Sequence, residues 1–321
     1  MILVTGATGF LGSVLTQQLL DKGLRVRALK RESSRIPTFL QDKPNLEWVN
    51  GEMGDLFSLE EALQGIKQVY HTAAIISFQS ADRQKMIDTN VEGTANLINL
   101  CLDLPGIRLV HVSSVAALGD PKPGQTTNEL DFLDLGTKPG GYATAKHLSE
   151  MEVWRGVAEG LDAVIVNPAI IIGKECGWKG SGVLFSTVER GLKYYPAGSC
   201  GLIAVEDVAT AMTTLMNSSI SGERYILNAE TWLYKDLFQE ISRGFGIKGP
   251  QKALSNWQLN WAAIAAEILA KIKAKPAALT RDAARSAGKL SNYSNQKIQQ
   301  AIDIQFTPIR QKIAEICAHL K

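Results

Sequence analysis

The chain has few cysteines, and no two of them stand close together. Cys101, Cys176, Cys200 and Cys317 are the whole complement and contain no C-x-x-C pair. That excludes a disulfide frame or a cysteine metal site, and the four read as buried thiols in a reducing cytoplasm. Charge of one sign is missing too. Thirty-four Lys and Arg stand against 32 Asp and Glu, a net charge of +2, so nothing electrostatic draws the chain to nucleic acid or to an anionic membrane. Long hydrophobic runs are also absent. The most apolar stretch, WAAIAAEILAKI, is interrupted by Glu267 and Lys271 and is too short and polar to span a bilayer. With the first expected strand starting at residue 2, no signal peptide is expected. There are no repeats and no low-complexity segments. What is present is 321 residues, 45% of them hydrophobic, enough for one large domain or two unequal ones.

Strand and helix patterns alternate along the first half. Ile2–Val4 is a short apolar run, and Phe10, Leu11, Val14, Leu15, Leu19 and Leu20 recur at helical spacing until Gly23. Further strands are predicted at Arg25–Leu29, Leu46–Val49, Gln68–Thr72, Ile107–Val112 and Leu161–Val166. Helical patterns cover Leu59–Leu63, Asp82 to Leu104 and Tyr142–Glu159. This alternation implies an α/β fold, a doubly wound parallel sheet with right-handed crossovers. Beyond Pro168 strands become rarer, and helices are predicted near Glu206–Met216, Tyr234–Gly244, Leu254–Lys273 and Pro308–Leu320. The expected division is a larger domain over 1–167 and a smaller, mostly helical part over 168–321, with Glu223–Leu227 a late strand able to rejoin the first sheet. Trp178, Tyr194, Tyr195, Trp232, Trp257 and Trp261 read as core aromatics of the second part. Trp257, Trp261, Ile264 and Ile268 recur on one helical face, which suits core or homodimer packing better than membrane contact.

Between the first strand and first helix stand Gly6, Gly9 and Gly12, spaced G-x-x-G-x-x-G. Glycine there permits positive φ and lets the backbone approach a pyrophosphate seated on the helix N-terminus. Thr5, Gly6, Gly9, Phe10, Leu11 and Gly12 are therefore candidate dinucleotide contacts, and the first domain is expected to bind the dinucleotide while the second binds substrate. An NAD-binding fold usually places an acidic residue at the end of the second strand. This chain has Lys30 and Arg31 there. Two cations suit the 2′-phosphate of NADP(H); a solvated strand end is the plain alternative, and Glu32 leaves NAD(H) open. Asp55, beside Leu56, reads as an adenine contact or as a surface-turn residue. After the fourth strand, Thr72, Ala73 and Ala74 offer small residues to the phosphates and ribose, and His71 reads as a packed strand-end residue rather than a base.

Ser113 and Ser114 follow the fifth strand, and Tyr142 and Lys146 fall at i and i+4 on one helical face. A phenol with a pKa near ~10 is a poor acid–base group at neutral pH. A neighbouring ammonium, with the cationic nicotinamide of an oxidised cofactor, would lower that value. A serine hydroxyl opposite can hold a substrate oxygen for hydride transfer. No metal site is expected.

The motifs TGATGFLG, VYHTAA, NVEGTANL, VHVSS followed by Gly119, YATAK and NPAIIIG, from Thr5 to Gly173, resemble the extended short-chain dehydrogenases/reductases. That group contains dihydroflavonol reductases, cinnamoyl-CoA reductases and sugar-nucleotide epimerases. VEDVA at Val205–Ala209 extends the likeness more loosely. The resemblance implies a Rossmann-type fold, with Tyr142 as acid–base residue and Lys146 as its partner and ribose anchor. It assigns the serine role to Ser114, five residues before Gly119, rather than to Ser113. It also implies that Asn90 stabilises the site near the cofactor and that Pro168 faces the nicotinamide amide. Epimerases of the group tend to carry an asparagine for the substrate diphosphate where this chain has Ile170. The apolar version resembles the dihydroflavonol reductase branch, whose members mostly use NADPH. A site lined by Ile170, with Ile76, Phe78 and Phe185, suits an apolar or aromatic carbonyl compound. The expected activity is therefore NADP(H)-dependent interconversion of a small-molecule carbonyl and alcohol, with a sugar-nucleotide epimerase/dehydratase as the alternative. A silent dinucleotide sensor would have no need of Ser114, Tyr142 and Lys146.

Overall fold

The computed structural model describes residues 1–121, 124–273, 277 and 279–321. The chain opens with β1 (Ile2–Thr5), α1 (Phe10–Asp21), β2 (Val26–Lys30) and β3 (Leu46–Asn50). It continues through α2 (Leu56–Leu63), β4 (Gln68–His71), α3 (Arg83–Asp103), β5 (Arg108–Val112), α4 (Gly141–Ala158) and β6 (Asp162–Pro168). Then come β7 (Ile170–Ile172), α5 (Val183–Glu189), β8 (Tyr194–Pro196), β9 (Ser199–Ala204), α6 (Val205–Met216) and β10 (Glu223–Leu227). The remainder is β11 (Glu230–Leu233), α7 (Tyr234–Phe245), β12 (Lys252–Leu254), α8 (Asn256–Lys273), α9 (Arg281–Ala287), α10 (Gln296–Ala301) and α11 (Ile309–Leu320).

Seven strands form one parallel sheet in the order β10-β6-β5-β4-β1-β2-β3. Successive side chains of a strand point to opposite faces, and the two cores follow that rule. Ile2, Val4, Val110, Val112, Val164 and Val166 pack with α1 and α6 on one face. Leu3, Leu109, Ala163 and Ile165 pack with α2, α3 and α4 on the other. Both faces being covered, the strands read as nearly unbroken apolar runs. From β1 the chain winds one way to β2 and β3 and the other way to β4 and β5. That reversal opens a crevice beyond the carboxyl ends of β1 and β4, where ligands of such sheets bind.

The late strand Glu223–Leu227 pairs parallel with β6. Together with α6, it brings residues from beyond 168 into the first sheet and its core. A separate cluster joins β7, β9, α5, α7 and α11 around Leu202, Phe238 and Ile313. The expectation that strands become rarer after Pro168 is corrected: β7 to β9, β11 and β12 lie there, in sheets of three and two strands. They are 3 to 6 residues long, too short for a period-2 pattern to stand out. The core reading of the aromatics is corrected as well. Trp257 and Trp261 are 67% and 63% exposed, and Trp178 and Tyr194 are also exposed. On α8 the buried positions are the smaller Leu259 and Ala263, so its tryptophans face outward. Among the described residues no helix is long and apolar enough to cross a membrane.

Candidate active site

The glycine turn between β1 and α1 is tightly built. Gly6 sits at φ 73°, a region that L side chains avoid, and its carbonyl accepts the Gly9 amide at 2.9 Å. A Cβ on Gly6 would come within 2.7 Å of the Thr72 hydroxyl and the Ala73 nitrogen. A Cβ on Gly12 would run into the Gly6 carbonyl. The amides of Phe10, Leu11 and Gly12 have no acceptor among the described residues. They form a helix N-terminus of the kind that receives a phosphate, and the residues present fit a dinucleotide there. Thr5 binds the turn to the next strand end. Its hydroxyl meets His71 Nδ1 at 2.8 Å and accepts the Ala73 amide at 3.3 Å, and its carbonyl accepts the Thr72 hydroxyl at 2.7 Å. Ala74 follows, exposed. His71 is buried between Thr5 and Thr94, 3.1 Å from the latter's hydroxyl. Burial, and then the charge of Lys146, pushes His71 down to about 3.

Farther along the crevice, Lys30 Nζ donates to the Asn50 side chain at 2.7 Å, while Arg31 and Glu32 are exposed. Asp55 caps α2, accepting the Phe57 amide at 3.2 Å, and Leu56 beside it is half exposed. The cap explains why α2 begins earlier than its apolar pattern alone indicates. Asn90 is buried on α3 and clamps the backbone of Ile75, accepting its amide and donating to its carbonyl, both at 2.8 Å. It shapes the loop after β4.

On the other side of the crevice, α4 carries Tyr142 and Lys146. Lys146 is buried and donates to the Val112 carbonyl at 2.8 Å. Burial pushes its ammonium down to about 8, against the opposing charge of Glu150. Tyr142 is raised by burial, and a hydrogen bond with Ser114 opposes the rise. Ser114 is buried and its Oγ accepts the Ala116 amide at 3.2 Å. Its neighbour Ser113 instead donates to Glu150 at 2.6 Å.

The Phe78 ring stands 5.3 Å from the Tyr142 ring. Phe78 also borders a cavity of about 120 Å³ with Glu267, Thr280, Arg281, Asp282 and Arg285. Asp282 accepts the Gly141 amide, next to Tyr142, at 3.3 Å. Ile76 is 62% exposed. Pro168 is buried at the end of β6, and half-buried Ile170 pairs with Leu202 across β7 and β9. Phe185 does not line the site: it is buried at 1% exposure in the core around β7 and β9, because α5 turns that face inward.

Three residues at the site were not singled out from the sequence. Glu150, Asn167 and Arg224 are buried together beneath Ser114. Only Glu150 carried a signal, its i+4 spacing from Lys146 on the same helical face. Among the described residues no group of acidic, histidine or cysteine side chains could hold a metal ion.

A doubly wound sheet, a glycine turn with free amides and a Ser–Tyr–Lys set at the crevice suit an enzyme that works on a bound dinucleotide. The chain belongs to the NAD dependent epimerase/dehydratase family, whose model matches residues 2–228, and it is an enzyme of the NAD(P)-dependent oxidoreductase kind. It is 31% identical to a Synechocystis sp. protein provisionally named dihydroflavonol 4-reductase, over 97% of this chain and 92% of that one. It is 33% identical to sterol demethylase protein B of Methylococcus capsulatus, over 78% of this chain and 76% of that one. The solved structure of gox2253 superposes with a TM-score of 0.86 at 30% identity, covering 99% of this chain and 97% of that one.

Proposed function

We propose that the protein is an NADP(H)-dependent oxidoreductase that interconverts a ketone or aldehyde and the corresponding alcohol. The observation that carries this reading is Tyr142, half-buried at the crevice beside Ser114, with Lys146 one turn along the same helix. A bound nicotinamide supplies or accepts the hydride. Thr5, Gly6, Gly9, Phe10, Leu11 and Gly12 hold the pyrophosphate end; Asp55 and Leu56 flank the adenine; Thr72, Ala73, Ala74 and Asn90 border the ribose and phosphates. Pro168 and Ile170 close the nicotinamide end. Ser114 orients the substrate oxygen by hydrogen bonding. Tyr142 gives that oxygen its proton in reduction and takes it back in oxidation. Lys146 holds the ribose and favours the phenolate form when the proton has left.

Preference for NADP(H) rests on Lys30 and Arg31. Arg31 is free in solvent to meet a 2′-phosphate, and no carboxylate occupies the end of β2 to hold ribose hydroxyls. The carbonyl reading rests on Ile170, where an epimerase would carry asparagine, and on the apolar wall of Phe78 beside Tyr142. The relative named as a dihydroflavonol 4-reductase supports the same choice. The family model keeps a sugar-nucleotide epimerase or dehydratase as the second reading.

A panel of aryl and alkyl carbonyl compounds, with NADPH oxidation followed by absorbance, tests the proposal. Turnover of members of the panel is expected, with no thermal shift on adding UDP- or dTDP-sugars. A clear shift with a nucleotide sugar, and an inert carbonyl panel, would overturn it.

A further inference from the structure

Three consecutive residues at the end of β5 carry the reaction centre, and each is tied down separately. The Val112 carbonyl accepts Lys146 Nζ at 2.8 Å. The Ser113 hydroxyl donates to Glu150 Oε2 at 2.6 Å. The Ser114 carbonyl accepts Asn167 Nδ2 at 3.0 Å, and the same Nδ2 donates to Glu150 Oε2 at 2.8 Å. Two of the three ties therefore lead to one carboxylate. Glu150 is completely buried, and its other oxygen accepts Arg224 Nη1 at 2.8 Å and Trp154 Nε1 at 3.3 Å.

A buried charge needs a partner and a full set of hydrogen bonds, and here both oxygens have them. Arg224, on β10, is itself anchored. Its Nε and Nη2 donate to the Glu129 carbonyl at 2.8 Å and 2.6 Å, and its guanidinium stands 4.5 Å over the Phe132 ring. The loop between β5 and α4, the end of β6 and the edge strand β10 thus converge on the helix that carries Tyr142.

We propose that Glu150 is the positioning residue of this site: its carboxylate holds the Ser113–Ser114 strand end beneath Tyr142 and faces the Lys146 ammonium from the next turn of the same helix. Lys146 is surrounded by groups of unequal effect. Tyr142 and Glu150 lie on its own helix, one turn to either side. His71 from β4 and His111 from β5 lie beneath it, and its charge lowers both. Arg224 reaches it only through Glu150. Glu150 is the one group among these that favours the charged lysine against burial. Without that carboxylate, Lys146 would lose its charge at a lower pH, and Ser113 and Asn167, whose amide holds Ser114, would lose their shared acceptor. Neither change requires Glu150 to touch a substrate or a cofactor.

The effect on rate rests on the proton-moving role proposed for Tyr142, whereas the titration of Lys146 does not. The test therefore reads both. In protein carrying ¹³C-labelled lysine, the Lys146 side-chain signal is followed by NMR from pH 6 to 11 and identified by its loss in Lys146→Arg. The wild-type midpoint is expected at about 8, and Glu150→Gln is expected to lower it by about one pH unit. Glu150→Asp draws the same charge back by one methylene and lowers it by a smaller step. It also carries the test if the glutamine variant does not fold, as judged by circular dichroism. In the rate assay, the alkaline limb of kcat moves in step with the midpoint while KM stays within roughly twofold. A folded variant with an unmoved Lys146 midpoint would overturn the proposal, as would a uniform loss of rate with an unmoved limb. If no carbonyl compound is turned over, the functional reading fails and the titration still decides the role of Glu150.

Discussion

Two regions of the molecule, a buried lower side at α4 and an exposed upper side, are built from different material. On the lower side, polar groups are buried and many are bonded: His71 with Thr5 and Thr94, Lys146 with Val112, Glu150 with Arg224. On the upper side, apolar groups are exposed: Ile76 and Phe78 after β4, the latter beside Tyr142, and Trp257 and Trp261 on α8. Burying a polar group without its partner costs about 1–3 kcal/mol, so the lower side tolerates little movement or substitution. Among the described residues the upper side has few bonds to lose. The reciprocal bonds of Gln79 with Ala277, both 3.1 Å, and that of Asp282 with Gly141 join it to the rest. Under the proposed function, a site divided in this way would keep the proton and hydride geometry fixed and leave the substrate wall to a few exposed side chains.

Acidification should separate the two sides most sharply. Burial holds His71 down to about 3 and His111 well below its ordinary value, and neither ring nitrogen of His111 has a partner among the described residues. Both lie below the ~6.5 of an unfolded histidine, so the unfolded chain binds protons first as the pH falls. Their contribution to stability is complete above about pH 6.5. Below it, each loses about 1.4 kcal/mol per pH unit, down to pH 3 for His71. Urea unfolding at pH 7.5, 6 and 5 should show stability falling, and His111→Phe should flatten the fall. An unchanged midpoint across that range would break the contrast.

Gly12→Ala attacks the lower side directly. The added methyl meets the Gly6 carbonyl, and overpacking of this kind costs about 1–3 kcal/mol. Thermal melts and NADPH titration should show a less stable protein with roughly tenfold or weaker affinity for the dinucleotide. Wild-type affinity would show that the turn can yield. Arg31→Ala is a smaller change at the rim. It should weaken NADPH by roughly tenfold while leaving NADH within about twofold, the loss of one charge-assisted contact; calorimetry with both cofactors checks it, and equal losses would remove Arg31 from the 2′-phosphate. On the open side, Trp261→Ala should change stability by no more than about 0.5 kcal/mol, since its ring is 63% exposed. A loss of several kcal/mol would mean that α8 is covered in solution.

Much of the lower side was legible because its requirements fall on consecutive residues. The turn needs glycine at set intervals between a strand and a helix, and a phenol one helical turn from an ammonium needs only i and i+4. Glu150 has the same spacing from Lys146, yet nothing nearby in sequence marks it as buried: the arginine that neutralises it is 74 residues away. Asn167 reads as the tail of a strand until its amide is seen to join Ser114 and Glu150. The upper side was less legible still. Phe185 and Trp261 have the same apolar character in sequence, but one is core and the other faces outward. Helical spacing says that residues share a face, not which face is covered.

The most direct test of the central claim is Tyr142→Phe, measured twice on one preparation. The account predicts that turnover of the carbonyl substrate falls on the order of 100-fold or more, while NADPH affinity, read by fluorescence titration, stays within about twofold. A phenylalanine variant that turns over at the wild-type rate would contradict it.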